Sequence, residues 1–284
     1  MKPQLTVSRF VLYAVLLIAS AITLTPFAYL ACGAFKTNDD MFTSLFLPPG
    51  GGPFGIAWSH LTTLHFHQLL FTLGLGHNLL NSLFLASVTS VLATLFCAMG
   101  GYALAKHQFH GRGLVTAMVL GSMLLPAALL IAPTYELLYH LQLLDSYAGL
   151  ILPAITPAFG IFLFRQAALS GVPDALLEAA RIDGCGELQI FFGIALPMVK
   201  PMIGAFLLIT FLGTWNNFIT PQIVLQTAGK FPLSVAIAQL RGVYGQDHGL
   251  LMAGTLLSVL PVVVLFLMLQ REFIAGLTSG AVKG

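Results

Sequence analysis

Long apolar runs without charged residues dominate the chain, and short polar stretches separate them. Each run is long enough to cross about 30 Å of hydrocarbon as a helix, at about 1.5 Å per residue. Lipid offers the backbone no hydrogen bonds, so runs this long and uniformly apolar predict helices rather than strands. We therefore predict an all-α polytopic membrane protein, a single domain over 1–284, with transmembrane helices at about 10–35, 78–105, 114–134, 146–165, 201–225 and 249–270.

The composition agrees with a membrane protein. Hydrophobic residues make up 57% of the chain and charged residues 8%, whereas a soluble domain carries about a quarter charged residues. The three cysteines are scattered and suggest no disulfide framework or metal site. His60, His65 and His67 lie close together in a Pro- and Gly-rich external loop, but no acidic or cysteine ligand is near them in sequence, so we predict no metal site there.

The distribution of cations predicts the orientation. With a cytoplasmic amino terminus, three cations fall outside: Lys36, Lys230 and Arg241. This arrangement satisfies the positive-inside rule, places both termini in the cytoplasm, and leaves no basic patch for nucleic acid. The nine cations then on the inner side are Lys2, Arg9, Lys106, Arg112, Arg165, Arg181, Lys200, Arg271 and Lys283.

Two kinds of chemistry are missing from the sequence. No Asp, Glu, Lys or Arg falls near the middle of a predicted span, which disfavours a carrier driven by an ion gradient. Backbone carbonyls can still bind sodium, so a gradient-driven solute carrier stays as the alternative. The Gly229-Lys230 pair lacks the other residues of a phosphate-binding loop, so any ATP and its Mg must be bound by a partner, and we predict neither a cofactor nor a catalytic residue in this chain.

The polar segment 166–200, between the fourth and fifth spans, predicts a short helix on the cytoplasmic side. Pro173 suits a first helical turn, and Asp174 and Glu178 lie toward its positive end. Gly184 can adopt the left-handed conformation that ends a helix. On that helix one side is predicted to carry Leu176, Ala179, Ala180 and Asp183, and the neighbouring strip Leu177 and Arg181.

The same segment carries a recognisable pattern. Glu178-Ala179-Ala180 is followed three residues later by Asp183-Gly184 and then, after nine intervening residues, by Ile194-x-Leu196-Pro197. In residues, spacing and location it resembles the EAA loop of permease subunits in binding-protein-dependent ABC importers. Three further stretches resemble the carbohydrate-uptake branch, in particular the second membrane subunit of maltose-type importers: Leu144 to Pro153, Trp215-Asn216-Asn217-Phe218 and Gly276 to Gly284. Cys185 departs from the alanine more common after Asp-Gly.

The resemblance implies a machine with several subunits. It implies a second, homologous permease, two cytoplasmic ATP-binding subunits, an extracytoplasmic solute-binding protein and a sugar substrate, in a bacterial or archaeal cytoplasmic membrane. The chain itself would not be an enzyme. The residues that would couple it to the ATPase are Glu178, Ala179, Ala180, Arg181, Asp183 and Gly184.

A polar stripe in the fifth span marks a possible path for the solute. Thr214, Asn216 and Asn217 offer neutral hydrogen-bonding groups, and Trp215 offers an aromatic face, which together suit a sugar. Packing between membrane helices uses the same residue types and explains the stripe equally well. Asn78 and Asn81 open the second span and either belong to the same path or cap that helix.

Overall fold

The computed structural model describes residues 4–245 and 247–279, so Lys2 and Lys283 lie outside the described residues. Helices make up most of the described chain, which contains two isolated β-bridges and no strand. The all-α class is thereby confirmed. The α-helices in chain order are α1 Gln4–Ala34, α2 Leu64–His67, α3 Leu75–Lys106, α4 Arg112–Ser122, α5 Ile131–His140, α6 Tyr147–Ile151, α7 Ala158–Gly171, α8 Asp174–Ile182, α9 Glu187–Ile190, α10 Leu196–Met198, α11 Lys200–Trp215, α12 Ile219–Val224, α13 Leu233–Val243 and α14 His248–Ser279.

The chain divides into two compact units. The first comprises Met1–Gly76 with Ala236–Leu260, and it contains α1, α2 and the loop that carries the three clustered histidines. The second comprises His77–Val235 with Pro261–Gly284. The second unit contains every residue predicted for coupling or for the solute path.

Three helical stretches are individually long and apolar enough to cross a membrane: Arg9–Ala34, Leu75–Lys106 and His248–Arg271. They match the predicted first, second and sixth spans closely. Three pairs of shorter helices satisfy the same criterion together, so the total reaches six when each bent pair is one span. These pairs are Arg112–Ser122 with Ala127–His140, Tyr147–Ala154 with Ala158–Gly171, and Glu187–Met198 with Lys200–Trp215, bent by 102°, 41° and 82°.

Prolines lie at two of the three breaks, so neither the predicted third span nor the predicted fourth span is one straight helix. Pro126 directly precedes the short 3₁₀ helix Ala127–Leu130, and Pro157 directly precedes α7; both have extended backbone dihedral angles. A proline has no N–H to donate, and its ring collides with the carbonyl four residues earlier. The helix before each proline therefore stops, and the next one starts in a new direction.

The core of the second unit lies where α3, α7 and α11 meet. A Cβ atom added to Gly101 of α3 would lie 2.6 Å from the backbone nitrogen of Arg165 in α7, so only glycine allows this approach of the two helices. Phe164 of α7, which also borders Gly101, and Phe206 of α11 are both buried, with ring centroids 5.4 Å apart. Through this packing α3 is in close contact with its neighbours, and the functional segments attach to it.

Candidate coupling segment and translocation cavity

Helix α8 begins and ends as its sequence predicts. Pro173 stands at the N-cap position, and Asp174 occupies the first turn. At the other end Gly184 has a φ of 85°, its N–H donates to the Arg181 carbonyl, and the Cys185 N–H donates to the Ala180 carbonyl. This pair of hydrogen bonds is a Schellman motif, which satisfies carbonyls that the helix end would otherwise leave free.

The two apolar faces of α8 point in different directions. Leu177 and Ala180 are buried, with 1% and 7% of their surface exposed. Leu176, Ala179 and Ile182 recur at i, i+3 and i+6 on the exposed side, where Ile182 is 86% exposed. The structure therefore separates the two adjacent alanines, which were expected on one side, and adds Ile182 to the exposed face. The i, i+3 spacing of Ile182 from Ala179 was the sequence signal for it.

Two ion pairs hold α8 at its ends. Lys106 Nζ, at the end of α3, lies 2.7 Å from Asp174 Oδ1, and Arg181 Nε lies 2.7 Å from Glu187 Oε1. The hydrogen bond from Arg181 lowers the pKa of Glu187 below its ordinary value, and the same bond raises the pKa of Arg181. Arg181 thus has a partner within the chain, whereas Glu178 and Asp183 are exposed.

The buried face of α8 joins a hydrophobic cluster that reaches α3. Leu177 and Ala180 belong to the same cluster as Tyr102 of α3 and Phe191, which follows α9. The rings of Tyr102 and Phe191 are 5.4 Å apart. Any displacement of α8 therefore acts directly on α3, through this cluster and through the pair of Lys106 with Asp174.

The second unit also contains a partly open cavity of about 310 Å³. Its polar lining consists of hydroxyl and amide side chains, and none of the described residues that line it is Asp, Glu, Lys or Arg. From α3, Ser82, Leu85 and Thr89 face it at i, i+3 and i+7. Thr89 and Lys106 lie on the same helix, about 25 Å apart along its axis at about 1.5 Å per residue. A single helix therefore connects the cavity with the coupling segment. The polar lining comprises Ser82, Thr89, Thr134, Tyr135, Thr214, Asn217 and Thr220.

The predicted fifth span is interrupted beside this cavity. Helix α11 ends at Trp215 and α12 begins at Ile219, because Pro221 cannot donate a hydrogen bond to the Asn217 carbonyl. That carbonyl accepts a hydrogen bond from Ser234 Oγ at 2.8 Å instead, and Asn217 Oδ1 accepts one from the Thr220 N–H at 3.3 Å. The break turns polar groups of the segment toward the cavity.

The predicted path residues have different environments. Thr214 and Asn217 line the cavity. The Trp215 ring is buried and stacks on Phe211 with centroids 5.6 Å apart, and Asn216 is exposed. Sequence reasoning did not single out Thr89 or Tyr135, although a threonine inside an apolar span was a usable signal for the first.

Asn78 and Asn81 make tertiary contacts rather than helix caps. Asn78 Nδ2 donates to the Phe231 carbonyl at 2.7 Å, and Asn81 Nδ2 donates to the Gly229 carbonyl at 2.8 Å. Both side chains therefore hold the segment that precedes α13.

In the first unit, the clustered histidines find partners distant in sequence. His60 Nδ1 lies 3.0 Å from Asp40 Oδ2, and the buried His65 donates from Nε2 to the Lys36 carbonyl at 2.9 Å. The burial of His65 differs from the solvated loop expected from sequence. Among the described residues, no group of three or more His, Cys, Asp or Glu side chains is arranged to hold a metal ion.

Comparison with known proteins identifies the family. The profile of the family described as binding-protein-dependent transport system inner membrane component matches residues 90–273, which is more than half of the chain. The protein belongs to this family. The prediction of a permease subunit is confirmed: the chain is a multi-pass inner-membrane component that is not itself catalytic and works with a separate ATPase and a solute-binding protein.

Individual relatives support this assignment. The chain is 43% identical over 204 residues to the arabinooligosaccharides transport system permease protein AraQ of Bacillus subtilis, covering 72% of each chain. It is 32% identical over 271 residues to the lactose transport system permease protein LacG of Rhizobium radiobacter, covering 95% of each. The comparisons give no support to a gradient-driven carrier.

A solved structure shares the fold. It is a bacterial ABC transporter involved in the import of the acidic polysaccharide alginate, and one of its chains superposes with a TM-score of 0.79 at 21% identity. The match covers 96% of this chain and 99% of that one. The two chains therefore share one fold over nearly their whole length.

Proposed function

We propose that this chain is one of two homologous permease subunits of an ATP-driven importer for a sugar or oligosaccharide. Two cytoplasmic subunits bind ATP and Mg, and an extracytoplasmic protein delivers the solute. The chain crosses the cytoplasmic membrane of a bacterium or archaeon six times, with both termini and the 166–200 loop in the cytoplasm.

The exposed face of α8 is the observation that carries this proposal. Leu176, Ala179 and Ile182 present an apolar strip on a helix whose opposite face is packed into the core. An apolar strip outside the membrane costs solvation free energy unless another protein covers it. The apolar strip thus inserts into a groove on the ATPase, and Glu178 and Asp183 beside the strip make polar contacts with it.

The packing beneath α8 supplies a route for the mechanical work. When the ATPase closes around ATP, it moves α8, and Leu177 with the pair of Lys106 and Asp174 passes the movement to α3. Because α3 also lines the cavity through Ser82 and Thr89, its tilt changes the shape of the solute path.

The cavity lining favours a neutral, hydroxyl-rich solute. Hydroxyl and amide groups can both donate to and accept from sugar hydroxyls. Other relatives are named as sn-glycerol-3-phosphate permeases, for example UgpE of Pectobacterium atrosepticum, at 33% identity. An anionic solute would call for a cation, and the described lining of this cavity has no Lys or Arg.

A native thiol allows a direct test of the coupling contact. Cys185 is exposed directly after α8, whereas Cys97 is buried and Cys32 is partly buried. In the assembled importer, a photoactivatable maleimide attached to Cys185 should crosslink the chain to the ATPase subunit, with a yield that changes when ATP is bound. The Cys185→Ser variant is the control. Crosslinks to lipid alone in every nucleotide state, or solute uptake by the chain without any ATPase, would overturn the proposal.

A further inference from the structure

One carboxylate, that of Asp145, binds four groups of a single distant segment, residues 225–232. Oδ1 accepts the N–H groups of Gln226 and Thr227 at 2.9 and 3.0 Å. Oδ2 accepts Thr227 Oγ1 at 2.6 Å and Lys230 Nζ at 2.8 Å. The Asp145 N–H in turn donates to the Val224 carbonyl at 2.8 Å.

Helix α3 holds the same segment from a second direction. Asn78 and Asn81 both donate to the Phe231 carbonyl, at 2.7 and 3.2 Å. Directly after the segment, the Leu233 N–H donates to Ser82 Oγ at 2.7 Å. The segment is therefore tied to two separate elements by side-chain hydrogen bonds, although it contains only one short 3₁₀ turn of its own, Ala228–Lys230.

The segment borders the cavity. Val224, directly before it, and Pro232, at its end, both line the cavity. Gly149 and Leu150, which follow Asp145 by one helical turn, line the cavity as well. The contacts of Asp145 therefore set the distance between two parts of the cavity wall.

The backbone at Asp145 is strained in a way that the contacts explain. Asp145 has a φ of 52° and Gln142 a φ of 55°, both in the left-handed region that side chains other than glycine rarely adopt. Such conformations persist only where the surrounding structure over-determines them. The hydrogen bonds from Lys230 and Thr227 also hold the pKa of Asp145 well below its ordinary value, so the carboxylate stays charged.

We propose that Asp145 is a positioning residue that fixes the 225–232 segment as the rim of the solute cavity. The two hydrogen bonds that Oδ1 accepts from backbone N–H groups contribute most to holding the segment, and the ion pair with Lys230 contributes further. The inference rests on the proposed solute path, since it assigns the cavity to that path.

The test measures access to the cavity and does not depend on transport. In the assembled importer in nanodiscs, with the three native cysteines replaced, Thr220→Cys places a thiol on the cavity wall. Its reaction rate with a polar maleimide reports how accessible the cavity wall is past the rim. Asp145→Ala should speed the reaction about tenfold, because it removes both carboxylate oxygens that accept hydrogen bonds from the segment. Asp145→Asn keeps an acceptor for the backbone and should give a smaller increase.

Controls separate positioning from general damage. Glu136→Ala removes an exposed carboxylate from α5 and should leave the rate unchanged. Exchanging the charges with Asp145→Lys and Lys230→Asp should not restore slow labelling, because an ammonium group cannot accept the backbone N–H groups. Lys230→Met removes the two bonds that Nζ donates to the carboxylate and the backbone carbonyl of Asp145, and Thr227→Val removes one side-chain bond. Both variants should give intermediate rates, which keeps the proposal testable where Asp145→Ala fails to fold.

Two outcomes would overturn the inference: equal labelling rates in Asp145→Ala and its parent, or full rescue by the charge exchange. A failure of the proposed importer function would be seen elsewhere, in the crosslinking from Cys185, while leaving the labelling rates intact.

Discussion

Two adjacent leucines on α8 offer a sharp test of how the coupling segment works. Leu177 is 1% exposed and belongs to the cluster with Tyr102 and Phe191, whereas Leu176 is 46% exposed and lies on the exposed side of the helix. Leu177→Ala should cost about 3 kcal/mol, because truncating a fully buried leucine loses transfer free energy and leaves a cavity. The ion pairs at the ends of α8 are partly exposed and contribute less than about 1 kcal/mol each, so they cannot compensate.

Hydrogen exchange of the α8 amides measures this loss. A change of about 3 kcal/mol in local opening corresponds to roughly a hundredfold faster exchange. The matched variant Leu176→Ala changes the same residue type one position earlier and should leave exchange unchanged, while it lowers the yield of ATPase crosslinks from Cys185. Similar exchange in both variants, or unchanged exchange in Leu177→Ala, would refute the assignment of the two faces.

Two further predictions concern the end of α8 and the cavity. Gly184→Ala should destabilise the helix end by about 1 kcal/mol, because alanine rarely adopts the positive φ of this position; the added Cβ itself meets no neighbouring atom. Thermal unfolding measures the loss. The control Gly186→Ala, at a position where φ is −73°, should have no such effect. Thr214→Val should raise the KM for solute uptake about threefold to tenfold by removing one hydroxyl from the cavity wall, whereas Thr210→Val, whose hydroxyl bonds the Phe206 carbonyl of its own helix, should not. An unchanged KM in Thr214→Val would show that the Thr214 hydroxyl does not contact the solute.

Local features of the sequence determined much of this protein. The apolar runs defined a helical membrane protein, because lipid leaves the backbone no other partner. Pro173 and Gly184 located the ends of α8 to within a residue, because proline and glycine act through their own dihedral angles. The pattern from Glu178 to Pro197 identified the family, since it combines residue type with spacing and position.

The tertiary structure decided what local pattern left open. Two apolar strips on α8 satisfy the same helical spacing, and only packing against α3 determined that Leu177 and Ala180 face inward. Asn78 and Asn81 hold a segment about 150 residues away, which no local pattern reports. Most of this chain is apolar, so hydrophobicity shows which residues are removed from water. Contacts between distant elements decide which of those residues pack against other parts of the protein.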